Sequence, residues 1–439
     1  MNVDPYSLLN RIANLQIVKL IILGVLTLLL LIPLAMIGGL ISERQERSHN
    51  AVAEVTSKWG GSQVVTGPVL VLPYGEKNAR SNAVFLPKAS RVTGEISTQD
   101  RQRGIFHIPI YRLNLRLEGE FEKPRLETVG LDPNSVLWNF AHLSVGISDV
   151  RSLQSASRLT WNGEDSEFLQ GTEGLLDSIP GLHASVAASP QDTNFKFSFP
   201  LSLNGSDSVF LTPFAEETVV NLSGNSAHPE FQGNWLPSER TIRNDGFDAT
   251  WRISYLARNF PQAWTSHVTI KDAIAGSHFG VKLNPPMDLY RLTDRSVKYA
   301  VLFIILTFAS VWVCEVISRS RVHPVQYLML GFAMCMFYVL ELSLSEHLGF
   351  PLAYAIASSA VIVLISMYAK SVFRRGLKNL TVGTGVTLLY AYLYVVLTNE
   401  DAALLVGSIG LFVILAAIMF GTRTINWAAE PSGSEAVRP

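Results

Sequence analysis

The sequence predicts a multi-pass α-helical membrane protein that carries one large, mainly β domain of antiparallel sandwich type. Six membrane helices are expected, arranged one plus five. Three observations predict this. One apolar run, 20–41, lies at the N-terminal end, and five more crowd the chain after residue 296. The 42–295 stretch between them holds no run near the roughly 20 apolar residues that cross a hydrocarbon core of about 30 Å, and its dominant period is two. Lys and Arg are also distributed asymmetrically among the short loops that join the late runs.

Composition agrees with a chain that is part membrane and part aqueous. It has 439 residues, 48% of them hydrophobic, and a formal net charge of −1. No basic stripe with interleaved aromatics occurs, which argues against nucleic acid as a partner. The two cysteines, Cys314 and Cys335, both fall in predicted spans. The β domain is therefore expected to hold together without disulfides or thiolate metal sites.

Residues 1–19 read as a cytoplasmic N-terminus. The run 20–41 exceeds the 7–15 residues of a signal h-region and ends on a poor cleavage sequence, so it reads as a retained anchor. Pro33 would bend it at little cost where neighbouring helices accommodate the bend. Helical spacing of charged and apolar residues continues from Glu43 to Trp59. Beyond that, alternation takes over, most clearly in Tyr111-Arg-Leu-Asn-Leu-Arg-Leu-Glu-Gly-Glu-Phe121. Phe195-Lys-Phe-Ser-Phe199, Val209-Phe-Leu and Thr218-Val-Val-Asn-Leu222 repeat the pattern. Pro133-Asn134, Asn162-Gly163 and Asn204-Gly205 mark turns, the last a hairpin signal.

The later spans are predicted at 297–317, 325–344, 350–369, 380–398 and 402–421, a bundle over 296–422. The 423–439 tail has a disordered composition. Arg11 and Lys19, then Arg319 and Arg321, then Lys370, Arg374, Arg375 and Lys378, and finally Arg423 lie in alternate connections. The 345–349 and 399–401 loops carry no Lys or Arg. Both termini are thus expected in the cytoplasm and the 42–295 domain on the opposite side.

Catalytic signatures are sparse. Seven histidines are scattered singly through the domain without a His-Glu-x-x-His pair, and they read as surface or satisfied core side chains. No nucleophile elbow, P-loop or dinucleotide fingerprint occurs. Ionisable residues in the spans carry more weight, because charge in hydrocarbon is costly. Glu315 lies within a turn of Arg319 and reads as an interfacial ion pair. Glu341 is expected near the outer surface, paired with Lys298 of the antiparallel second span. The alternative is a proton- or ligand-responsive site with Glu346 and His347 just above it. At the joint between domain and bundle, Asp294 or Thr293 could cap the second span, and Asp294, Arg295 and Lys298 could fix the domain's angle.

Across the joint and the following spans the chain resembles the CreD family of bacterial inner-membrane proteins. Tyr290-x-Leu-Thr-Asp-Arg-x-x-Lys-Tyr299, His323-Pro-Val-Gln-Tyr-Leu328 and Ser343-Leu-Ser-Glu-His-Leu-Gly-Phe350 carry the resemblance. In the domain it rests on Thr66-Gly-Pro-Val…Pro73, His228-Pro-Glu-Phe-Gln-Gly…Leu236-Pro237 and Gly246-Phe…Trp251. It runs over nearly the whole chain in order and departs in the loops and the last two spans. It implies a Gram-negative inner membrane, a periplasmic domain, a two-component regulon linked to the envelope, and a role in envelope integrity or stress response. It supplies no catalytic residues.

The expectation is therefore a non-enzymatic protein, needing no cofactor or metal. Its partners are the lipid bilayer and a periplasmic or envelope protein or ligand. His228, Phe231, Trp235 and Leu236, in an expected turn, are the candidate contact surface, although their aromatics could equally fill the core. The alternative is a transporter or channel with Glu341, Glu346 and His347 lining a path. A periplasmic hydrolase is the third and least supported class.

Overall fold

The computed structural model describes residues 16–423, apart from 77–78, 156, 174–178, 267, 269, 284–288, 319–321, 373–377 and 400–401. The chain forms two compact units. One comprises residues 1–48 and 287–439, the other residues 49–286. Arg11, Arg319, Arg321, Arg374, Arg375 and the 424–439 tail, on which part of the expected topology rests, lie outside the described residues.

Helix α1 (Gln16–Trp59) belongs to both units and is 44 residues long, about 66 Å at the usual helical rise. Beyond the apolar run it is sustained by Glu43–Arg47 and Glu54–Lys58 pairs, with the acid N-terminal to the base as the helix dipole favours. Gly60 ends it at φ +134°, with its N–H bonded 2.9 Å to the Thr56 carbonyl. A side chain there would clash with the Asn204 carbonyl.

In the β unit the chain runs through β1 (Gln63–Glu76), β2 (Ala79–Phe85), β3 (Ala89–Arg103), β4 (Phe106–Glu122) and β5 (His142–Ile147). It continues through β6 (Arg158–Trp161), β7 (Glu164–Glu167), β8 (Leu169–Gln170), β9 (Gly181–Ser185), β10 (Asn194–Ser206) and β11 (Ser208–Leu211). Last come β12 (Glu217–Gly224), β13 (Pro229–Gly233), β14 (Glu239–Arg243), β15 (Gly246–Ser254), β16 (Ala263–Thr265), a short helix α2 (Lys271–Ala275) and β17 (Phe279–Leu283).

These strands make two sheets. The first has the order β13-β17-β11-β1-β5-β9-β8, with β2 and β16 branching from β1; the second runs β14-β15-β12-β3-β4-β10-β6-β7. A mainly β sandwich is thus present, but it is not purely antiparallel. β1 pairs in parallel with β11, and β3 in parallel with β12. Local alternation predicts a strand and a buried face, but not the direction of a neighbour more than a hundred residues away.

The inner faces of both sheets share one apolar core. Leu113, Leu115, Leu117 and Phe121 of β4 lie in it, while Arg112, Asn114 and Arg116 face outward. The centre of β1 is buried on both faces. Leu70 and Leu72 join the main core, whereas Val69 and Val71 join a second cluster with Phe214, Phe260, Trp264 and Ile274. Asn162-Gly163 does form the β6–β7 hairpin, with positive φ at both residues. Asn204-Gly205 does not form one. It continues β10 opposite Arg112 and Tyr111, because the Tyr111 ring covers Gly205 and needs a residue without a side chain there.

The other unit contains α3 (Leu289–Ser318), α4 (Pro324–Leu348), α5 (Phe350–Val372), α6 (Lys378–Thr398) and α7 (Ala403–Thr422) with the first part of α1. Leu23, Leu30, Leu34, Ile37 and Ile41 form the buried stripe of α1, while Ile21, Val25, Leu28, Ile32 and Met36 are exposed. Leu30 rests on Gly331 of α4, where the missing side chain lets the helices approach. α4 starts in a capping box: the His323 ring accepts from Val325 N–H, and the Gln326 side-chain Oε1 accepts from His323 N–H at 2.9 Å. This gives a physical role to the His-Pro-Val-Gln motif.

Four helices are long and apolar enough to cross a membrane: Val18–Trp59, Leu289–Val316, Pro324–Leu348 and Phe350–Ser371. The expectation of six is corrected to four among the described residues. Val382–Thr398 and Ala403–Ala416 are apolar helices, but over those residues they fall short of the roughly 20 that a span requires.

Tyr111 offers a test of the sandwich. Its buried hydroxyl donates to the Ser208 carbonyl at 2.7 Å. Tyr111→Phe should lower the unfolding free energy by about 1 kcal/mol, read as a shift in the urea midpoint at constant slope.

Candidate functional site

The helical unit contains three buried or nearly buried carboxylates, and they differ in how well they are satisfied. Glu315, near the end of α3, accepts from the Val322 N–H at 3.1 Å and the Tyr327 hydroxyl at 2.9 Å, and forms an ion pair with Lys19 of α1. The Lys19 ammonium also donates to the Val322 carbonyl at 3.0 Å and lies 5.8 Å from the centre of the Tyr327 ring. The expected partner of Glu315, Arg319, lies outside the described residues; the observed cation comes from the first helix. This network ties the N-terminal part of α1 to the end of α3 and the start of α4.

Glu346, near the end of α4, accepts from the Tyr290 hydroxyl at 3.0 Å and lies 3.8 Å from the Arg44 guanidinium. Its side chain is only 8% exposed. It therefore joins the 44 position of α1, the start of α3 and the end of α4. His347, its neighbour, is exposed.

Glu341 is fully buried one and a half turns earlier in α4. One carboxyl oxygen accepts from Ser296 of α3 at 2.9 Å, and the other has no hydrogen-bond partner. The expected Glu341–Lys298 pair is not formed. Lys298 turns to Asp294, four residues back on its own helix, at 2.5 Å, with both side chains substantially exposed. A lysine at the helix surface keeps its hydration by pairing locally instead of following the carboxylate inward. Nor does Asp294 cap a helix, since α3 begins at Leu289 and Asp294 and Thr293 lie inside it. Arg295 donates to the Val396 carbonyl at 3.4 Å.

In the β unit the expected contact surface divides. His228 is exposed, and residues 229–233 form an edge strand on β17 instead of a turn. The Phe231 ring meets Phe247 at 5.8 Å and Trp251 at 5.7 Å edge-on. Trp235 packs on Phe279, and its carbonyl accepts the Trp251 indole N–H at 3.0 Å. Both aromatics close the end of the core. Leu236, 65% exposed, is the apolar member left at the surface.

Three features had no sequence signal. His142 and His183 sit on the paired strands β5 and β9 with ring centres 5.8 Å apart, bonded to the carbonyls of Phe140, Glu173 and Gly171. They are satisfied core histidines, as the scattered pattern suggested, but only strand register brings them together. Arg258 is buried and donates to the Pro213 and Phe214 carbonyls over the Phe260 ring; burial pushes its guanidinium down to about 10. An open groove of about 750 Å³ is lined by Lys88, Glu122, Arg125, Glu127, Trp138 and Thr193 among others. At its rim the Lys88–Glu122 pair holds the lysine above and the carboxylate below their ordinary ranges. The buried Trp138 indole N–H beside it has no partner. Among the described residues no group of three His, Cys, Asp or Glu side chains is placed to hold a metal.

Comparison with known proteins gives the following. A family model described as inner membrane protein CreD matches residues 16–428. The chain is 32% identical over 417 residues to inner membrane protein CreD of Escherichia coli K12, covering 92% of this chain and 91% of that protein. Among solved structures, an M1 zinc metallopeptidase from Deinococcus radiodurans is 10% identical, with 46% of this chain and 42% of that one covered at a TM-score of 0.20. A yeast LTA4 hydrolase is 9% identical, with 81% and 69% covered at a TM-score of 0.21. Scores so low carry no argument about fold or activity.

Two stability predictions follow from these contacts. Lys19→Met should cost about 3–5 kcal/mol by leaving Glu315 buried without its cation, whereas Asp294→Asn should cost about 0.5 kcal/mol or less; thermal unfolding of the purified protein in detergent reads both. His278, which precedes β17, is held below the ordinary histidine range by burial. The unfolded chain therefore binds that proton more readily, so stability is full above the histidine range and is lost as pH falls through it. His278→Gln should flatten that dependence in urea midpoints measured across pH.

Proposed function

The chain belongs to the CreD family of inner membrane proteins, and from that premise we propose that it is a non-enzymatic protein supporting envelope integrity or the response to envelope stress. In this reading the β domain lies in the periplasm and acts as a binding module, while the helical unit anchors it in the inner membrane with both termini in the cytoplasm. One observation carries the orientation. The Lys19–Glu315–Tyr327 network and the Arg44–Glu346–Tyr290 cluster mark opposite ends of the helical unit. They are about 37 Å apart along α1, enough to bracket a hydrocarbon core of about 30 Å.

In this reading α1 runs parallel to α4 and antiparallel to α3, and the Lys- and Arg-rich connections that follow α3 and α5 in the sequence are cytoplasmic loops. Binding as the role of the domain is supported by the open groove beside Trp138 and by the exposure of Leu236 and His228. A mixed charged rim over Pro, Leu and Trp side chains suits a polar partner that also presents apolar surface.

Single cysteines test the orientation in a background lacking Cys314 and Cys335. An impermeant maleimide should label Ser238→Cys in cells with a permeabilised outer membrane, and Lys370→Cys only after lysis. The reverse pattern would reject the orientation. Crosslinking from the β domain in living cells tests the binding role. A species captured by the parent and lost in Arg125→Glu or Leu236→Asp is expected; no enrichment over an unrelated membrane protein would sink the binding-module reading.

A further inference from the structure

The interface of α3 and α4 buries two hydroxyl–carboxylate contacts where a membrane helix pair normally packs apolar side chains. On α3, Tyr290, Thr293 and Ser296 follow one another at intervals of three residues and all are buried, the Thr293 hydroxyl donating to the Leu289 carbonyl of its own helix at 2.8 Å. Tyr290 donates to Glu346 at 3.0 Å at one end, and Ser296 donates to Glu341 at 2.9 Å at the other. The two carboxyl groups lie five residues apart on α4, about 7.5 Å in rise. Glu346 sits at the exposed end beside Arg44. Glu341 is sealed, and one of its oxygens has no partner.

The contrast with Glu315 is informative. Glu315 has a cation, a hydroxyl and a backbone N–H, the full complement of a structural buried carboxylate. Glu341 has one hydroxyl, and no Lys, Arg or His lies within ion-pair distance of it among the described residues. The titratable groups around it are Tyr338 on its own helix, Tyr354 on α5 and Tyr390 on α6. On α3, Arg295 next to Ser296 reaches the Val396 carbonyl instead. A carboxylate so placed requires a positive partner from outside the protein. Hard metal cations take about six oxygens or more, and Glu341 with Ser296 presents too few. A proton needs only one.

We propose that Glu341 is a reversible proton-binding site. The Glu341 carboxylate takes up one proton and becomes a carboxylic acid. No other bond is made or broken, and the net change is one proton taken up from water. The proposal does not depend on the envelope role, because it concerns the helical unit alone.

Infrared difference spectroscopy of the full-length protein in lipid nanodiscs, titrated across the range where carboxylates and histidines ionise, tests it. A carboxylic C=O band is expected that titrates in the parent and is missing in Glu341→Gln. Labelling with an apolar carbodiimide, which attacks protonated buried carboxyls, gives a readout on the parent that does not depend on variants folding. Glu341 should be modified and Glu315 spared. A C=O band unchanged by Glu341→Gln, or carbodiimide found on Glu315 instead of Glu341, would overturn the proposal.

Discussion

The ion pair between Lys19 and Glu315 is the constraint on which the helical unit depends. It joins residues 296 positions apart in sequence and sets the direction of α1 against α3 and α4. Separating either charge from the other would leave a bare ion in a poorly hydrated place, at a cost of several kcal/mol. The rest of α1 is then committed: its buried stripe from Leu23 to Ile41 meets the bundle, and Leu30 meets Gly331. The pair also holds α1 and α3 running in opposite directions.

The same unit shows two ways of keeping acid groups out of water. At the Glu315 end every oxygen has a donor, and the result is a fixed corner. At Glu341 the satisfaction is incomplete, and the surrounding tyrosines and serines fill space without neutralising charge. Natural membrane helices rarely retain such a group without a use for it. The β domain has a counterpart in Arg258, a buried guanidinium held by carbonyls with two of its nitrogens unpartnered. There the stacked Phe260 ring and the two carbonyls make a brace between the 213–214 turn and the chain after β15.

Much of this was legible in the residues, and what was not has a common cause. The helices after residue 288 match the apolar runs closely, and alternation in 111–121 gives the inward face of β4 residue by residue. Local chemistry also marks the Asn162-Gly163 turn and the helical extension to Trp59. The misreadings all concern partners. Asn204-Gly205 looks like a turn until Tyr111 is seen to lie over it. Lys298 looks like the mate of Glu341 when only helix level is considered, yet a closer acid on its own helix takes it. The parallel neighbours of β1 and β3, the pairing of His142 with His183 and the origin of the cation on Glu315 depend on contacts between distant segments. Sequence spacing carries no record of these. Among the site candidates, Glu341 and Glu346 each accept from a hydroxyl of α3, while Phe231 and Trp235 pack against the core.

The division of the helical unit across both ends of the chain bears on the order in which the protein is made. Lys19 emerges from the ribosome long before Glu315; at about 5–20 residues per second the wait is about 15–60 s. During that interval α1 must reside in the bilayer as a single helix, its ammonium held up at the lipid headgroups by its flexible stem. Sheet closure in the β domain waits almost as long, since β17 supplies the outer neighbour of β11 and ends just before α3 begins. A nascent chain stalled before residue 279 would therefore hold an anchored helix and a first sheet still lacking β17, although every strand of the second sheet, which ends with β15, has by then been made.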